Sequence, residues 1–214
     1  MKKKLLSILL CLVMVVGLLP TAAFAAGYVE INETNFPDAK FRSFVKENLD
    51  KNKDDILDAM EIAAVKMIEA NNMGIKSLEG VGFFTALETL KCWDNELTGL
   101  DLSKNTALKD LQCSNSKLQS LDLSQNTALE SLDCSINELK QLNVSGCTAL
   151  KKLSCSSNQL TTLDVSKNVN LTFLNCGSNQ LTALDVSNNP KLEDLSCDYN
   201  AGQIFQFGVI AHIQ

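Results

Sequence analysis

The residues with the clearest chemical potential form an acidic stretch of twelve residues that runs from Asp50 to Glu61. Oxygen-bearing side chains stand at its positions 1, 3, 5, 9 and 12, and an apolar residue stands at position 8. Calcium is a hard cation that takes six to eight oxygen ligands in loops of this length and spacing. We therefore expect calcium to be held by side-chain oxygens of Asp50, Asn52, Asp54, Asp58 and Glu61 and by the backbone carbonyl of Ile56.

The spacing of this stretch resembles the calcium loop of an EF-hand, with one departure. Asp55 stands at the sixth position, where the motif has glycine for a sharp turn, and aspartate adopts left-handed backbone angles less easily than glycine. Asp58 and Glu61 also have the spacing of a capping box for a helix that begins near Ala59. Two interpretations stay open: a weak calcium site suited to extracellular calcium, or an acidic helix–turn–helix that holds no ion.

A second set of chemically reactive side chains consists of cysteines that recur every 21 residues: Cys92, Cys113, Cys134, Cys155, Cys176 and Cys197. Cysteines of secreted proteins often pair or bind metal. Each of these follows a leucine by two positions, so both side chains point into the interior from one short strand, and neighbouring thiols run parallel to each other. We expect reduced, buried thiols that fill a narrow interior, and a weak hydrogen bond from Cys147, which lies at a corner.

Catalytic patterns are absent from the sequence. Its only histidine is His212, and it has no G-x-S-x-G, H-E-x-x-H, phosphate-binding glycine loop or C-x-x-C. We expect a protein that is not an enzyme. The net charge falls from −6 to −9 when the three lysines of residues 1–25 are removed, and this acidity argues against nucleic acid as a partner.

The element that must position these residues is a 21-residue unit, seen in full from Leu150 to Asn170 and repeated without insertion from Leu87 onward. Strict repetition at such a period is typical of a solenoid, in which each coil buries its apolar face against its neighbours. The unit divides into two half-turns, LxxLxCxxNx and LxxLDVSxNxx. Each half-turn predicts a short strand that ends at an asparagine corner, because asparagine tolerates unusual backbone angles and bonds free backbone groups.

The LxxLxCxxNxL core resembles a leucine-rich repeat, and the doubled form with LDVS or LDLS resembles the nested 21-residue repeats of secreted bacterial leucine-rich-repeat proteins. The departures are Ser116 at a first corner, Cys147 at a second corner and Gly202 in the last half-turn. Internalin-like surface proteins place a helical, EF-hand-like cap before such repeats. The resemblance implies an α+β repeat protein: a leucine-rich-repeat solenoid of parallel short strands with a small helical N-terminal cap.

The chain divides into four segments. Residues 1–25 have a positive start, an apolar run too short to span a membrane comfortably, and Ala23-Phe24-Ala25 for cleavage, so they predict a secretory signal peptide and not an integral membrane protein. Residues 26–77 form the EF-hand-like cap. Its first helix starts within Asn35-Phe36-Pro37-Asp38, where proline suits a first helical position, and ends near Leu49, and its second helix begins near Ala59. Residues 78–200 form the solenoid, and 201–214 form a degenerate terminal repeat. We expect a secreted or extracellular surface protein.

The outward residues of the first half-turn strand vary from coil to coil. In leucine-rich repeats this open strand face is the usual ligand face, which implies Lys91, Trp93, Gln112, Asp133, Phe173 and Asn175 as ligand-face residues. Trp93 and Phe173 are candidate anchors because exposed aromatic residues often carry binding energy. Two functions remain possible: recognition of an extracellular protein or glycan, and a ligand-free spacer derived from a larger surface protein.

Overall fold

The computed structural model of the chain describes residues 27–201. The predicted signal peptide, His212 and the predicted terminal repeat from residue 202 onward lie outside the described residues. Four short elements come first: β1 (Tyr28–Glu30), α1 (Ala39–Asn48), β2 (Ile56–Asp58) and α2 (Ala59–Ala64). β1 and β2 pair antiparallel, with Val29 opposite Leu57. Among the described residues, no helix is long and apolar enough to cross a membrane.

The second helix of the cap begins at Ala59, as the sequence predicts, whereas the first begins at Ala39, so Pro37 precedes it and is not its first residue. Asp38 caps α1 by accepting hydrogen bonds from the backbone N–H groups of Lys40 (2.9 Å) and Phe41 (3.0 Å). Asp58 and Glu61 form the expected capping box of α2. These caps satisfy backbone groups that the first turn of each helix leaves free.

Aromatic packing joins the cap to the repeats. Phe36 is fully buried, and its ring lies 5.9 Å from that of Phe41 in α1 and 6.4 Å from that of Phe84 in the first coil. Gly80 passes so close to this cluster that a Cβ there would lie 2.4 Å from the carbonyl oxygen of Asn35. Gly80 also has a φ of +99°, so both space and backbone conformation require glycine at this contact.

The repeats form a parallel sheet of seven three-residue strands. In spatial order these are β3 (Met67–Glu69), β4 (Thr89–Lys91), β5 (Asp110–Gln112), β7 (Ser131–Asp133), β9 (Lys152–Ser154), β10 (Phe173–Asn175) and β11 (Asp194–Ser196). From β4 onward, each residue pairs with the residue 21 positions later, as Leu132 does with Leu153. A 3₁₀ helix (Val81–Phe83) leads into the first full coil.

The opposite half-turn is less regular than the sequence predicts. Within residues 27–201, only two of its segments are strands, β6 (Ser120–Asp122) and β8 (Gln141–Asn143), which pair in parallel. Strand pairing therefore extends along the whole of the seven-stranded sheet, whereas on the other side corner asparagines join further coils, as Asn168 does by donating to the carbonyl oxygen of Val144 at 2.9 Å. The prediction of a strand in both halves of every coil is wrong for the remaining coils.

Leucines and cysteines fill the space between the two sides, and the six cysteines of the sheet side are all buried and unpaired. The asparagines at the first corners hold the coils together. Asn158 donates from Nδ2 to the carbonyl oxygens of Cys134 (3.0 Å) and Cys155 (3.1 Å), and its Oδ1 accepts from the N–H of Leu139 (2.9 Å). One amide thus bonds two successive coils, which explains why asparagine recurs at this position.

Candidate functional site

All six residues predicted for the ligand face lie on the outer side of the seven-stranded sheet or directly after its strands. Lys91, Gln112, Asp133 and Asn175 occupy equivalent positions at the ends of their strands. Phe173 lies two residues before Asn175, and Trp93 lies two residues after Lys91. None of the described helices packs across this surface. The sequence therefore places these side chains correctly, while their role in binding stays a prediction.

The polar side chains of this face are held by near neighbours. The Lys91 ammonium lies 2.7 Å from a carboxylate oxygen of Glu69, and this hydrogen bond raises the pKa of Lys91. Gln112 Nε2 donates to Asp110 at 3.0 Å, and Asn175 Oδ1 accepts from the N–H of Gly177 at 3.2 Å. Because their rotamers are already fixed, these side chains lose little conformational freedom when a ligand binds.

Apolar side chains on and beside the face are exposed. Trp93 is 36% exposed and Met67, at the first strand, is 51% exposed. Sequence reasoning missed two further residues beside the face, Ile136 (55% exposed) and Tyr199 (87% exposed). Both stand three residues after the last residue of their strands, at the repeat position of Asp94. An isoleucine or tyrosine among polar residues at one repeat position was the signal that could have identified them.

Alternating charges border the start of the strands. Lys109 lies 2.6 Å from Glu88, and Lys151 lies 2.7 Å from Glu130, each pair joining neighbouring coils. The hydrogen bond from Lys109 lowers the pKa of Glu88 and the one from Lys151 lowers that of Glu130. The alternation stops at Thr172, so Glu193 in the next coil has no lysine beside it at this position.

A cleft of about 690 Å³ lies at the junction of the cap and the first coils, away from the predicted face. Leu78, Phe83, Leu100, Asp101 and Lys104 are among its lining residues. A smaller cavity of about 260 Å³ continues from it along the second half-turns past Asp122. The residues that line the cleft mix apolar, charged and small polar types without a cluster of any one chemical type, which makes it a weaker candidate site than the strand face.

The acidic loop from Asp50 to Glu61 turns at Asp55, the sixth position of the predicted motif. Asp55 adopts a left-handed conformation with a φ of 66°, so its presence at the glycine position does not prevent the turn. Asp50 is 2% exposed, and its two carboxylate oxygens accept from the N–H groups of Lys53 (2.7 Å) and Asp55 (3.0 Å). Leu57 is fully buried, as expected for position 8.

The remaining predicted ligands of the loop are bonded within it. Asn52 Oδ1 accepts from the N–H of Asp54 (3.0 Å), and Asp54 Oδ1 accepts from the N–H of Ile56 (3.0 Å). Glu61 accepts from the N–H groups of Lys51 (2.7 Å) and Asp58 (3.0 Å), which places its carboxylate across the loop. Over residues 27–201 no three His, Cys, Asp or Glu side chains converge on a point that could hold a metal ion. The carboxylates of the loop are thus arranged around backbone N–H groups, and calcium binding stays a prediction.

The buried thiols have no acidic character. Burial raises the pKa of Cys92 to about 12, and burial followed by the neighbouring thiols raises that of Cys134 well above its ordinary value. Cys147 donates from Sγ to the carbonyl oxygen of Leu123 at 3.3 Å, as predicted for its corner, and burial raises its pKa to about 12. Thiols in this state are poor nucleophiles and poor metal ligands, because both roles need the thiolate.

Solved structures with the same fold identify the architecture. A leucine-rich-repeat protein of Leptospira interrogans is similar with a TM-score of 0.62 and 24% identity, over 68% of this chain and 41% of the other. Internalin C2 of Listeria monocytogenes is similar with a TM-score of 0.63 and 22% identity, over 83% of this chain and 91% of the other. The chain is a leucine-rich-repeat solenoid. The predicted fold class and the likeness to internalin-like repeat proteins are confirmed.

The leucine-rich-repeat chain also matches the functional domain of InlJ from Listeria monocytogenes over 81% of its length, with 24% identity and a TM-score of 0.38. It spans only 52% of the InlJ domain and 41% of the Leptospira protein. No protein-family model matches the sequence, and no curated protein does. At these identities the comparisons establish the fold, and the ligand must be inferred from the chain itself.

Proposed function

We propose that this leucine-rich-repeat chain is a secreted or surface-exposed binding module, without enzymatic activity, that recognises an extracellular protein or glycan on its open strand face. The observation that carries the proposal is the contrast between the two sides of each coil. The inward and corner positions repeat the same residues for a structural reason, whereas the outward positions of the seven strands change from Lys91 to Gln112 to Asp133. Solenoids commonly use such a surface for binding.

The alternative is a ligand-free spacer derived from a larger surface protein. A spacer needs only a soluble outer surface, so it would not need the exposed Trp93 or the partly buried Phe173 on that surface. Single exposed apolar residues are common on soluble proteins, but aromatic residues are enriched in the buried cores of protein interfaces and among the residues that carry binding energy. This observation favours the binding module over the spacer.

The test is an array of purified extracellular proteins and glycans probed with residues 26–214. We expect saturable binding to at least one member, weakened by Trp93→Ala and by Phe173→Ala. Val169→Ala is the matched control, because Val169 is 46% exposed but lies outside the seven-stranded sheet. Absence of binding from the whole array, or equal loss in the Val169→Ala variant, would favour the spacer.

We also propose that the loop from Asp50 to Glu61 binds calcium at extracellular concentrations. Its turn already accommodates Asp55 at the glycine position, and it holds five carboxylates within twelve residues, which repel one another without a cation. Binding would require Glu61 to give up its hydrogen bonds to the N–H groups of Lys51 and Asp58. A weak site, with a Kd of roughly 10⁻⁴ to 10⁻³ M, would be sufficient outside cells.

Calorimetry of residues 26–214 with and without calcium tests this second proposal. We expect Tm to rise at millimolar calcium, and the rise to disappear in Glu61→Gln, whose amide keeps an acceptor for the capping box but loses the charge. Magnesium at the same concentration controls for ionic strength. A rise of equal size in Glu61→Gln, or none in the wild type, would show that the loop is only a turn.

A further inference from the structure

A continuous rim runs along one edge of the open strand face. It consists of one residue from each coil, three positions after the strand: Asn72, Asp94, Asn115, Ile136, Ser157, Ser178 and Tyr199. All seven have a left-handed backbone, with φ between 52° and 58°. Hydrogen bonds continue from coil to coil along it, as from Ile136 N–H to the Ser156 carbonyl (2.9 Å). The rim is therefore as regular as the sheet, with a spacing of about 4.8 Å between coils.

Ile136 is an unusual residue for a position of this rim. Left-handed backbone is strained for a β-branched residue and far easier for asparagine or aspartate, which occupy three of the other rim positions. The Ile136 side chain is 55% exposed, so its burial offsets little of the free energy that the left-handed backbone costs. A strained and exposed apolar residue is better explained by a contact outside the fold than by stability within it.

Other exposed apolar residues lie on the same side. The described chain has seven large apolar residues with high exposure, and four of them lie on the face or its rim: Met67, Trp93, Ile136 and Tyr199. At the coil spacing, Trp93 and Tyr199 are about 24 Å apart, with Ile136 between them. Isoleucine and methionine offer a sugar neither hydrogen bonds nor a flat ring, whereas both pack well against apolar side chains of a polypeptide.

The charges of the same surface are unbalanced. This surface comprises the outward residues of each strand and the residues two and three positions after it. These positions carry two lysines, Lys91 and Lys152. They also carry six carboxylates: Glu69, Asp94, Asp110, Asp133, Asp194 and Asp198. Lys91 is bonded to Glu69, while Asp194 and Asp198 at the far end form no ion pair within residues 27–201. A partner that complements this surface carries lysine or arginine.

We propose that the rim binds a polypeptide partner: an extended segment with apolar side chains and with lysine or arginine, lying along the rim from Asp94, which follows Trp93, to Tyr199. This inference rests on the proposed binding function and names its partner class as protein and its anchors as Ile136 and Tyr199. The apolar side chains contact the two anchors, and the basic ones lie against Asp194 and Asp198.

The probe is a displayed library of random peptides of about twelve residues, panned against residues 26–214. We expect enriched peptides to combine apolar or aromatic residues with lysine or arginine, and their binding to weaken with added salt. The affinity of one such peptide is then measured for Ile136→Asn, Tyr199→Ser and the control Ser157→Asn. Asparagine should raise Tm at both positions 136 and 157, because it tolerates the left-handed backbone better.

Thermal stability and peptide affinity should change in opposite directions at Ile136 but not at Ser157. We expect Ile136→Asn to melt higher and bind roughly tenfold weaker, as loss of one binding anchor commonly gives. Ser157→Asn should melt higher with unchanged affinity. Peptide binding that depends on Trp93 and Phe173 but not on Ile136 or Tyr199 would contradict the proposal that the rim is the binding site. The proposal that the chain is a binding module would still hold. Enrichment of acidic peptides, or binding to glycans alone, would also overturn the rim proposal.

Discussion

At the scale of single residues, the asparagine at the first corner of a coil makes several hydrogen bonds to backbone groups. Asn137 donates to the carbonyl oxygens of Cys113 (3.0 Å) and Cys134 (3.2 Å) and accepts from the N–H of Leu118 (3.0 Å). Asn179 repeats the pattern two coils later. Ser116 interrupts this ladder, and its Oγ is buried without a hydrogen-bond partner. The shorter side chain cannot span the two coils.

Ser116→Asn should therefore stabilise the protein. By analogy with Asn137, the new amide would bond the N–H of Leu97 and the carbonyl oxygens of Cys92 and Cys113. A net gain of about 1–2 kcal/mol follows from adding these bonds and removing an unpaired hydroxyl. Thermal unfolding should show a Tm higher by roughly 3–6 °C. The reverse change in the neighbouring coil, Asn137→Ser, should lower Tm, and a neutral or destabilising Ser116→Asn would contradict this account of the ladder.

A second single residue, Asp38, couples the cap to the repeats. One carboxylate oxygen caps α1, and the other accepts from the N–H groups of Lys76 (2.8 Å) and Ser77 (3.2 Å) at the entry to the first coil. Partial burial alone raises the pKa of this carboxyl, but the four N–H groups, from Phe41, Lys76, Ser77 and Lys40, outweigh burial and hold the pKa below its ordinary value of 3.8. The charged form is therefore the one that the fold stabilises.

Asp38→Asn should destabilise the protein in a pH-dependent way. Because the folded pKa is lowered, the contribution of Asp38 is complete above the unfolded pKa of about 3.9 and is lost as the pH falls through the folded value. The Tm difference between wild type and Asp38→Asn should be constant from about pH 5 to 7 and shrink below about pH 4. A difference that stays constant down to about pH 2 would show that the carboxylate charge is not involved.

At the scale of elements, the sequence predicts the parts whose cause is local. Asp38, Asp58 and Glu61 specify helix starts through their own side chains, and the helix boundaries follow them. The inward ladder follows from alternation, and Ile75, Leu78 and Val81 are buried as their degenerate repeat positions predict. These features need no knowledge of the neighbouring coils.

The features that the sequence did not predict depend on how coils lie against each other. Second half-turns with nearly the same LDVS or LDLS pattern form paired strands at Leu121 and Leu142 but not at Leu163 or Leu184. The paired segments are joined by Asn143, whose Nδ2 donates to Asp122 Oδ1 at 3.0 Å, whereas Asp164 and Asp185 place two carboxylates at this position. The left-handed rim is also invisible in the pattern, because Ile136 and Tyr199 are poor indicators of such a backbone. The repeated sequence predicts the path of one coil. The backbone conformation at the corners depends on how neighbouring coils stack, and the repeat does not predict it.

The cysteine ladder gives a prediction at the scale of the sheet strands. Native protein should resist alkylation at Cys113, Cys134 and Cys155, because these thiols are fully buried and burial raises their pKa well above the ordinary value. Unfolding should expose all of them. Cys197 is 8% exposed and lies in the last described coil, so it should react first. Mass spectrometry after native and denaturing alkylation checks this, and disulfides among the ladder cysteines would contradict the parallel arrangement of the thiols.

At the scale of the whole molecule, stability is the sum of coil-to-coil contacts. β7 lies in the middle of the seven-stranded sheet, between β5 and β9, and every coil depends on its neighbours to bury its leucines. A solenoid of this kind has no second hydrophobic core that could keep it folded when these contacts are lost. Damage to a central coil should therefore affect both halves, whereas damage at a free outer position should stay local.

Leu132→Asp tests this dependence. Leu132 is 1% exposed and pairs with Leu111 and Leu153, so a carboxylate there would be buried without a partner, at a cost of several kcal/mol. That is comparable with the total stability of a typical domain, about 5–15 kcal/mol, and the variant should lack a cooperative transition by far-UV circular dichroism. Ser131→Asp is the matched control: it adds the same charge one residue away, on the outer side, between Asp110 and Lys152, and should unfold within a few degrees of the wild type. A cooperative transition for Leu132→Asp near the wild-type Tm would mean that the coils do not depend on this contact.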